Sequence, residues 1–261
     1  MQSHPYHLVS VSPWPLLSSV ALLNLALSLA GYIHRCDVSR EALLLSLLVV
    51  VASVLVWTRD VVVEGVFLGD HTSDVQRRLG LRILLFVVSE VMVFVSIFWA
   101  YFHSALAPSV ELGVAWPPAG IERIDPLALP LLNTVLLLSS GAAVTWGHHS
   151  MVGGSRSGAL YGLVLTIALA LVFTACQGLE YVAAPFDITD RVFGSTFYLS
   201  TGTHGFHVIL GTIFILVGCS RLWSYQLTAT HHVGLQFAIV YWHFVDVVWL
   251  FLYVAVYGFG A

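Results

Sequence analysis

The sequence contains no lysine and few charged residues of any kind. Only 9% of its 261 residues are charged, 58% are hydrophobic, and the mean hydropathy is +0.90. Soluble domains carry roughly 25% charged residues. All ten positive charges are arginines, and the formal net charge is −4. This balance excludes a basic nucleic-acid-binding surface and predicts a protein embedded in a membrane.

Signals for disulfide bonds, metal-binding cysteine pairs and cleaved presequences are also lacking. Cys36, Cys176 and Cys219 are far apart, form no CxxC pair, and two of them lie in apolar runs. A thiol in such a run behaves as a small hydrophobe, so we expect neither a disulfide nor a metal at these residues. The N-terminal segment has no Lys or Arg before its first apolar run and no small-residue cleavage site, so we do not expect a signal or transit peptide.

Long apolar runs account for most of the chain, and the polar gaps between them are too short for a soluble domain. Each run can cross a hydrocarbon core of roughly 30 Å as a helix. We therefore predict an all-α, polytopic membrane protein with seven transmembrane helices in a single membrane domain, residues 1–261. The predicted spans cover residues 16–34, 41–57, 80–103, 127–146, 157–184, 193–223 and 235–260.

The arginines near the ends of these runs indicate the orientation. An odd number of spans places the two termini on opposite sides of the membrane. With the N-terminus inside, six arginines lie on the inner side and four on the outer side, and positive charge favours the inner side. The inner set is Arg59, Arg77, Arg78, Arg82, Arg156 and Arg221, and the outer set is Arg35, Arg40, Arg123 and Arg191.

Glu90 interrupts the third apolar run near its middle. It lies about 12 Å along the helix axis from Arg82 and therefore cannot easily reach water. An ionised carboxylate at that depth is costly, so Glu90 should be protonated or should face a partner inside a helix bundle. Two interpretations stay open: a neutral acid satisfied by a hydrogen bond, or an acid with a role in proton or lipid handling. Asp246, in the last run, is a second buried acid.

The segment between the second and third runs is the most charged part of the chain. It reads TRDVVVEGVFLGDHTSDVQRRLGLR over residues 58–82, and we predict a loop at the membrane surface. Basic, acidic and histidine side chains in such a position can hold lipid head groups or a partner subunit. The alternative interpretation is an ordinary solvated loop.

Twelve histidines raise the question of a redox metal. His204 and His207 share a helix face, as do His243 and Asp246, but the adjacent pairs at the span ends do not. The HxxxH or HxxHH boxes of a membrane di-iron oxidase and the two Glu-x-x-His repeats of a carboxylate bundle are both missing. We therefore expect no metal, and we expect His204, His207 and His243 to face the bundle and hydrogen-bond within it.

Several long blocks, in order, resemble cytochrome c oxidase subunit III, and they cover essentially the whole chain. The blocks are HPYHLVSVSPWPL, WTRDVVVEG, GDHT, SEVMVFVSIFWAYFHSALAP, ELGVAWPP, LPLLNTVLLLSSGAAVTWGHHS, GLEYVAAPFDITDRVFGSTFYLSTGTHGFHVILGT and HHVGLQFAIVYWHFVDVVWLFLYVAVYGFG. The resemblance implies a first part, residues 1–70, with helices one and two. A V-shaped cleft that holds phospholipids would set it apart from residues 71–261, which form the five-helix bundle.

The resemblance also implies a role inside a respiratory complex. The chain would carry no catalytic residue, metal or redox cofactor, while haem and copper would lie in partner subunits, above all subunit I of complex IV. This subunit would stabilise the catalytic subunit, hold phospholipid and support proton uptake during reduction of oxygen to water. The expected location is the mitochondrial inner membrane with the N-terminus on the matrix side, and the alternative is a bacterial plasma membrane.

Particular residues carry the site implied by the resemblance. The acid of the family's third helix matches Glu90. Thr58 and Val63 depart from the family pattern, which has a second Trp and a basic residue there. The implied lipid head-group contacts fall near Trp57, Arg59, Glu64, His71, Arg221 and His231.

A function of another class is a stand-alone membrane transporter or proton channel that uses Glu90 and Asp246. Many transporters show internal repeats, with interrupted helices at corresponding positions of the two halves. No internal repeat is found in this sequence. The resemblance and the missing repeat therefore favour the oxidase subunit.

Overall fold

Seven long helices make up the part of the chain that the structure describes. This computed structural model describes residues 6–35, 40–110 and 113–259, and no strand occurs in these ranges. The helices are α1 (Trp14–Ile33), α2 (Arg40–Val63, continued by a π-helical turn, Glu64–Leu68), α3 (Ser73–Leu106), α4 (Leu129–Val152), α5 (Arg156–Ala183), α6 (Arg191–Trp223) and α7 (Val233–Leu252, continued by a π-helical turn, Tyr253–Gly258).

All seven of these helices are long and apolar enough to cross a membrane. The shortest of these spans when the π-helical turns are included, Trp14–Ile33, has 20 residues. At about 1.5 Å per residue it measures roughly 30 Å, the thickness of a hydrocarbon core. Exposed leucine and valine side chains along α1, α2 and α3 suit contact with lipid. The predicted all-α fold with seven transmembrane helices is confirmed.

The second helix is longer than predicted. The predicted end at Trp57 and the predicted loop over residues 58–82 are wrong, because helix α2 and its π-helical turn continue to Leu68 and α3 begins at Ser73. An aromatic residue followed by charges does not stop a helix when the backbone remains free to continue. The helix ends at Gly69, whose φ of 71° is a left-handed conformation that glycine adopts at little cost.

The chain divides into two compact units, Met1–Leu79 and Gly80–Ala261. In the first unit, α1 packs against α2. The contact uses small side chains, among them Ser46 and Ser53, which are buried. Their hydroxyls donate to main-chain carbonyls of their own helix at 2.8 and 2.9 Å, so burial leaves neither hydroxyl unsatisfied.

In the second unit, α7 is the most deeply buried helix. Its two tryptophans, Trp242 and Trp249, are fully buried. The Trp242 indole N–H donates to Ser140 Oγ at 3.0 Å, and the Trp249 indole N–H donates to Thr134 Oγ1 at 2.9 Å. Both acceptors belong to α4, so two hydrogen bonds fix α7 against α4.

Helices α4 and α5 approach each other closely at two glycines. A Cβ atom added to Gly162 would lie 2.6 Å from Gly147 Cα and 2.9 Å from the Ala143 carbonyl oxygen. Only a residue without a side chain fits there, because the atoms opposite are backbone atoms that cannot rotate away. The pair sets the spacing of these two helices.

The two cysteines within the described residues form no disulfide bond. Cys176 and Cys219 are free and half-buried in α5 and α6. The third thiol, Cys36, lies outside the described residues. The prediction that the chain has no disulfide therefore stays a prediction for Cys36.

Candidate functional site

Glu90 on α3 contacts His207 on α6 inside the second unit. His207 Nε2 lies 2.8 Å from Glu90 Oε2, and His207 Nδ1 lies 2.7 Å from the Thr203 carbonyl oxygen. The side chain of Glu90 is 22% exposed, and that of His207 is 7% exposed. Phe94 and Tyr241 place their rings beside the imidazole. The acid therefore has a polar partner in an aromatic environment.

The hydrogen bonds of His207 determine where a proton resides. A carbonyl oxygen can only accept, so the Nδ1 of His207 carries a hydrogen and donates it to Thr203. A neutral ring then presents Nε2 as an acceptor, and Glu90 must be protonated to donate to it. Alternatively the ring is cationic and Glu90 is ionised. In both cases Glu90 and His207 hold one proton between them.

Asp246 and His243 on α7 form a second pair. Asp246 Oδ2 lies 3.5 Å from His243 Nδ1 and rests on the backbone of Gly141. The Thr145 hydroxyl donates its hydrogen to the Gly141 carbonyl oxygen at 2.8 Å. Because a hydroxyl has only one hydrogen, the Thr145 oxygen must accept from His243 Nε2 at 3.2 Å. His243 Nε2 therefore carries a hydrogen, and its Nδ1 is the ring atom that faces Asp246. Asp246 is 8% exposed at its side chain and His243 44%, so His243 is only partly covered by the bundle.

His204, one turn before His207, is the most deeply buried histidine of the three predicted to face the bundle. It is 0% exposed. Its Nε2 donates to the Val245 carbonyl oxygen at 3.2 Å, and its ring packs against Phe173 and Trp249. These contacts give His204 a packing role between α6 and α7.

A third buried acid, Glu180 on α5, was not among the predicted site residues. It is 2% exposed, and its Oε1 accepts a hydrogen bond from the Tyr257 hydroxyl at 2.6 Å. Its position near the end of an apolar run concealed it, because an acid there can also reach the membrane surface. The partner, Tyr257, lies in the π-helical turn that ends α7.

Four of the predicted lipid contacts lie in the first unit. Trp57 and Arg59 are exposed side chains of α2, and Arg59 pairs with Asp60 at 2.9 Å. Glu64 and His71 lie close together at the end of α2, where they meet His7. Sequence spacing did not predict His7 at this place.

The other two predicted lipid contacts lie in the second unit. Arg221 is in the last turn of α6 and His231 directly precedes α7. The Nε of Arg221 is buried and has no hydrogen-bond partner among the described residues. The His231 amide donates to Thr228 Oγ1 at 3.0 Å. Arg221 therefore offers an unpaired donor beside the end of a transmembrane helix.

Comparisons with known proteins agree over the full length of the chain. The family model of cytochrome c oxidase subunit III matches residues 4–261. The chain is 56% identical over 260 residues to cytochrome c oxidase subunit 3 of Podospora anserina, covering 100% of this chain and 97% of that protein. It is 55% identical to the subunit of Neurospora crassa, with the same coverage, and 55% identical to that of Rhizopus stolonifer, covering 100% of this chain and 92% of that protein.

These matches agree with the order of the sequence blocks and with the seven described spans. They identify a multi-span membrane protein that is one component of a complex with other subunits. The chain belongs to the cytochrome c oxidase subunit III family.

Proposed function

We propose that this chain is a non-catalytic subunit of cytochrome c oxidase that stabilises the catalytic subunit, holds phospholipid and supports proton uptake. Haem and copper lie in the partner subunits, subunit I above all, and this chain binds neither. The complex reduces oxygen to water and translocates protons. The chain resides in the mitochondrial inner membrane with its N-terminus on the matrix side.

The Glu90–His207 pair is the observation that carries this proposal. The acid is held at 2.8 Å by a histidine that is itself held by a backbone carbonyl. A group so constrained can exchange one proton with its partner while the helix packing stays in place. That favours an accessory reservoir of protons over a stand-alone conducting path, for which each acid would have to be released from its partner in turn.

Purification of the tagged chain in mild detergent tests the proposal. The expected result is a visible spectrum with haem absorbance at a fixed ratio to this chain. The bundle histidines His204, His207 and His243 engage other protein groups, so the haem is expected to come from co-purifying subunits. A chain that purifies alone, without haem, and conducts protons when placed in vesicles would establish the stand-alone channel instead.

Arg221 carries the lipid part of the proposal. A guanidinium binds phosphate through two parallel N–H donors, and the Nε of Arg221 has no protein partner among the described residues. Its place in the last turn of α6 puts it at the height of lipid head groups if α6 spans the membrane. Arg221 thus supports binding of an anionic phospholipid.

Arg221→Ala is expected to lower the amount of phospholipid that remains with the purified complex, measured by mass spectrometry. Arg123→Ala is the matched control, because Arg123 is an exposed arginine of the loop before α4. Equal lipid content in the two variants and in the unmodified complex would contradict the lipid role of Arg221.

A further inference from the structure

Three metal-ligating side chains meet at one point in the first unit. One ring nitrogen each from His7 and His71 and one carboxylate oxygen of Glu64 all lie within 4.8 Å of one another. His7 Nε2 is already 3.3 Å from Glu64 Oε2. The side chains of His7 and Glu64 are 17% and 19% exposed, so the cluster is shielded from water without being closed.

The backbone is shaped to bring these residues together. Helix α2 ends in a π-helical turn that starts at Glu64, and Gly69 then turns the chain back. The His71 ring rests directly on Gly65, where an added Cβ atom would lie 2.6 Å from the ring's Nδ1. The Gln76 amide donates to the His71 carbonyl oxygen at 2.8 Å and fixes the returning segment. Single π-helical turns of this kind often mark functional sites.

The polar atoms of the cluster are not all used within the protein. His7 Nδ1 is buried and has no hydrogen-bond partner among the described residues. No bond to that nitrogen therefore fixes the tautomer of the ring. The Nε2 atom that faces Glu64 can exchange its hydrogen for a metal ion.

We propose that His7, Glu64 and His71 bind a divalent transition-metal ion, with Zn²⁺ as the best fit. Two imidazoles and one carboxylate are a known zinc ligand set that leaves a fourth position open. Tetrahedral ligands at about 2.0 to 2.2 Å from the metal stand roughly 3.3 to 3.6 Å from each other. The His7–Glu64 distance already falls in that range, and the third ligand atom needs a shift of about 1.5 Å at most.

The ligand types decide which metal ion the site would prefer. Calcium and magnesium prefer oxygen ligands, whereas two imidazole nitrogens favour zinc, copper or nickel. The ion would neutralise Glu64 and would tie the segment before α1 to the end of α2. The site thereby gains a structural role in the first unit that is independent of haem and copper elsewhere in the complex.

The inference is tested on the assembled complex, stripped of loose metal with a chelator and then equilibrated with Zn²⁺ alone. Zinc per haem is measured by mass spectrometry in the unmodified complex and in His7→Asn, Glu64→Gln and His71→Asn. Each variant is expected to weaken zinc binding by more than about 100-fold, because even outer-shell substitutions cost 10- to 100-fold. Gly65→Ala should do the same without removing a ligand, because its methyl group displaces the His71 ring.

His103→Asn is the matched control, since His103 is an exposed histidine of α3. It should retain zinc like the unmodified complex. Phospholipid content, measured in parallel, separates the metal site from lipid binding by Glu64 and His71. Equal zinc retention in the ligand variants and the control overturns the proposal, whatever happens to the lipid.

A second measurement uses only the unmodified complex, so it remains informative if the variants fail to assemble. In the unmodified complex, Zn²⁺ should slow hydrogen exchange in peptides that contain His7 and residues 64–71, and a chelator should reverse this. Unchanged exchange in both peptides at saturating Zn²⁺ overturns the proposal without any substitution.

Discussion

Glu90 and His207 share one proton, and the chemistry of each side chain follows from that. An ionised carboxylate alone at mid-membrane depth would be costly. The histidine removes this cost either by accepting the carboxyl hydrogen or by donating as a cation. The Thr203 carbonyl oxygen fixes the ring so that Nε2 always points at the acid. Both side chains therefore keep their hydrogen bond whether the shared proton resides on Glu90 or on His207.

Glu90→Gln is expected to preserve the contact, because the glutamine amide can donate to Nε2 of a neutral His207. Oxygen consumption by the complex should stay largely intact, with at most a modest slowing of proton uptake. Stopped-flow proton uptake and steady-state oxygen consumption measure the two. A complex with normal haem content but no oxygen consumption would instead place Glu90 on an obligatory proton path, since general acid-base steps are worth about 10² to 10⁴ in rate.

Glu90→Leu provides the opposite case. The leucine leaves the buried Nε2 of His207 without a partner, which costs about 1 to 3 kcal/mol. The variant complex should therefore lose this subunit at a lower temperature than the Glu90→Gln complex does. Identical thermal release of the subunit from both complexes would mean that the histidine gains no stability from its contact.

The acids could be predicted from the sequence, but their partners could not. A carboxylate inside an apolar run is visible at once, and so are the histidines of α6. Glu90 and His207 are 117 positions apart, and nothing in either run specifies that α3 and α6 meet at this height. His7 was missed for the same reason, because its neighbours Glu64 and His71 belong to a different helix end.

At the scale of the helices, the α4–α5 contact depends on the missing side chains of Gly147 and Gly162. Backbone atoms face each other there, with 2.6 Å between a Cβ built on Gly162 and the Cα of Gly147. Backbone cannot yield by changing rotamer, so any added group separates the helices. Gly162 of α5 had no signal in the sequence to mark it as the residue that faces α4.

Gly162→Ala is expected to destabilise the subunit by about 1 to 3 kcal/mol, the usual cost of overpacking. Gly178→Ala on the same helix is the control, because a Cβ at Gly178 meets no atom within 4 Å. The control should be neutral or slightly stabilising, since alanine is the better helix former. Thermal release of the subunit from the purified complex measures both, and equal midpoints would contradict the close-contact argument.

Helix number could be predicted from hydropathy, but some helix ends could not. The seven apolar runs correspond one to one with α1 to α7. The predicted end of α2 lies about three turns too early, because the charged residues after Trp57 favour a loop when only the local pattern is considered. Arg59 and Asp60 in fact extend from an unbroken helix, and the Asp60 carboxylate accepts from the Trp14 indole at 2.6 Å. That contact joins residues 46 positions apart, which a local pattern cannot reveal.

At the scale of the whole molecule, seven spans fix the relation between the termini. An odd number of crossings leaves the segment before α1 and the segment after α7 on opposite sides, and the arginine distribution favours the inner side for the first segment. Short epitope tags at the two termini should therefore show opposite access to a protease added to intact membrane vesicles, with the tag at residue 1 protected when the outer face is exposed. Equal access of both tags would contradict the seven-span topology.

The two tryptophan bonds of α7 also bear on how deeply this helix sits. Its apolar stretch, Val233–Gly258, has 26 residues and measures about 39 Å at 1.5 Å per residue. The hydrocarbon core is only about 30 Å thick, so hydrophobicity alone leaves α7 free to slide by roughly two turns. A slide of one turn, about 5.4 Å, would break the bonds from Trp242 to Ser140 and from Trp249 to Thr134 together. Helix α4 is synthesised before α7. Its Ser140 and Thr134 are therefore in place when α7 is inserted, and they set the depth at which α7 comes to rest in the membrane.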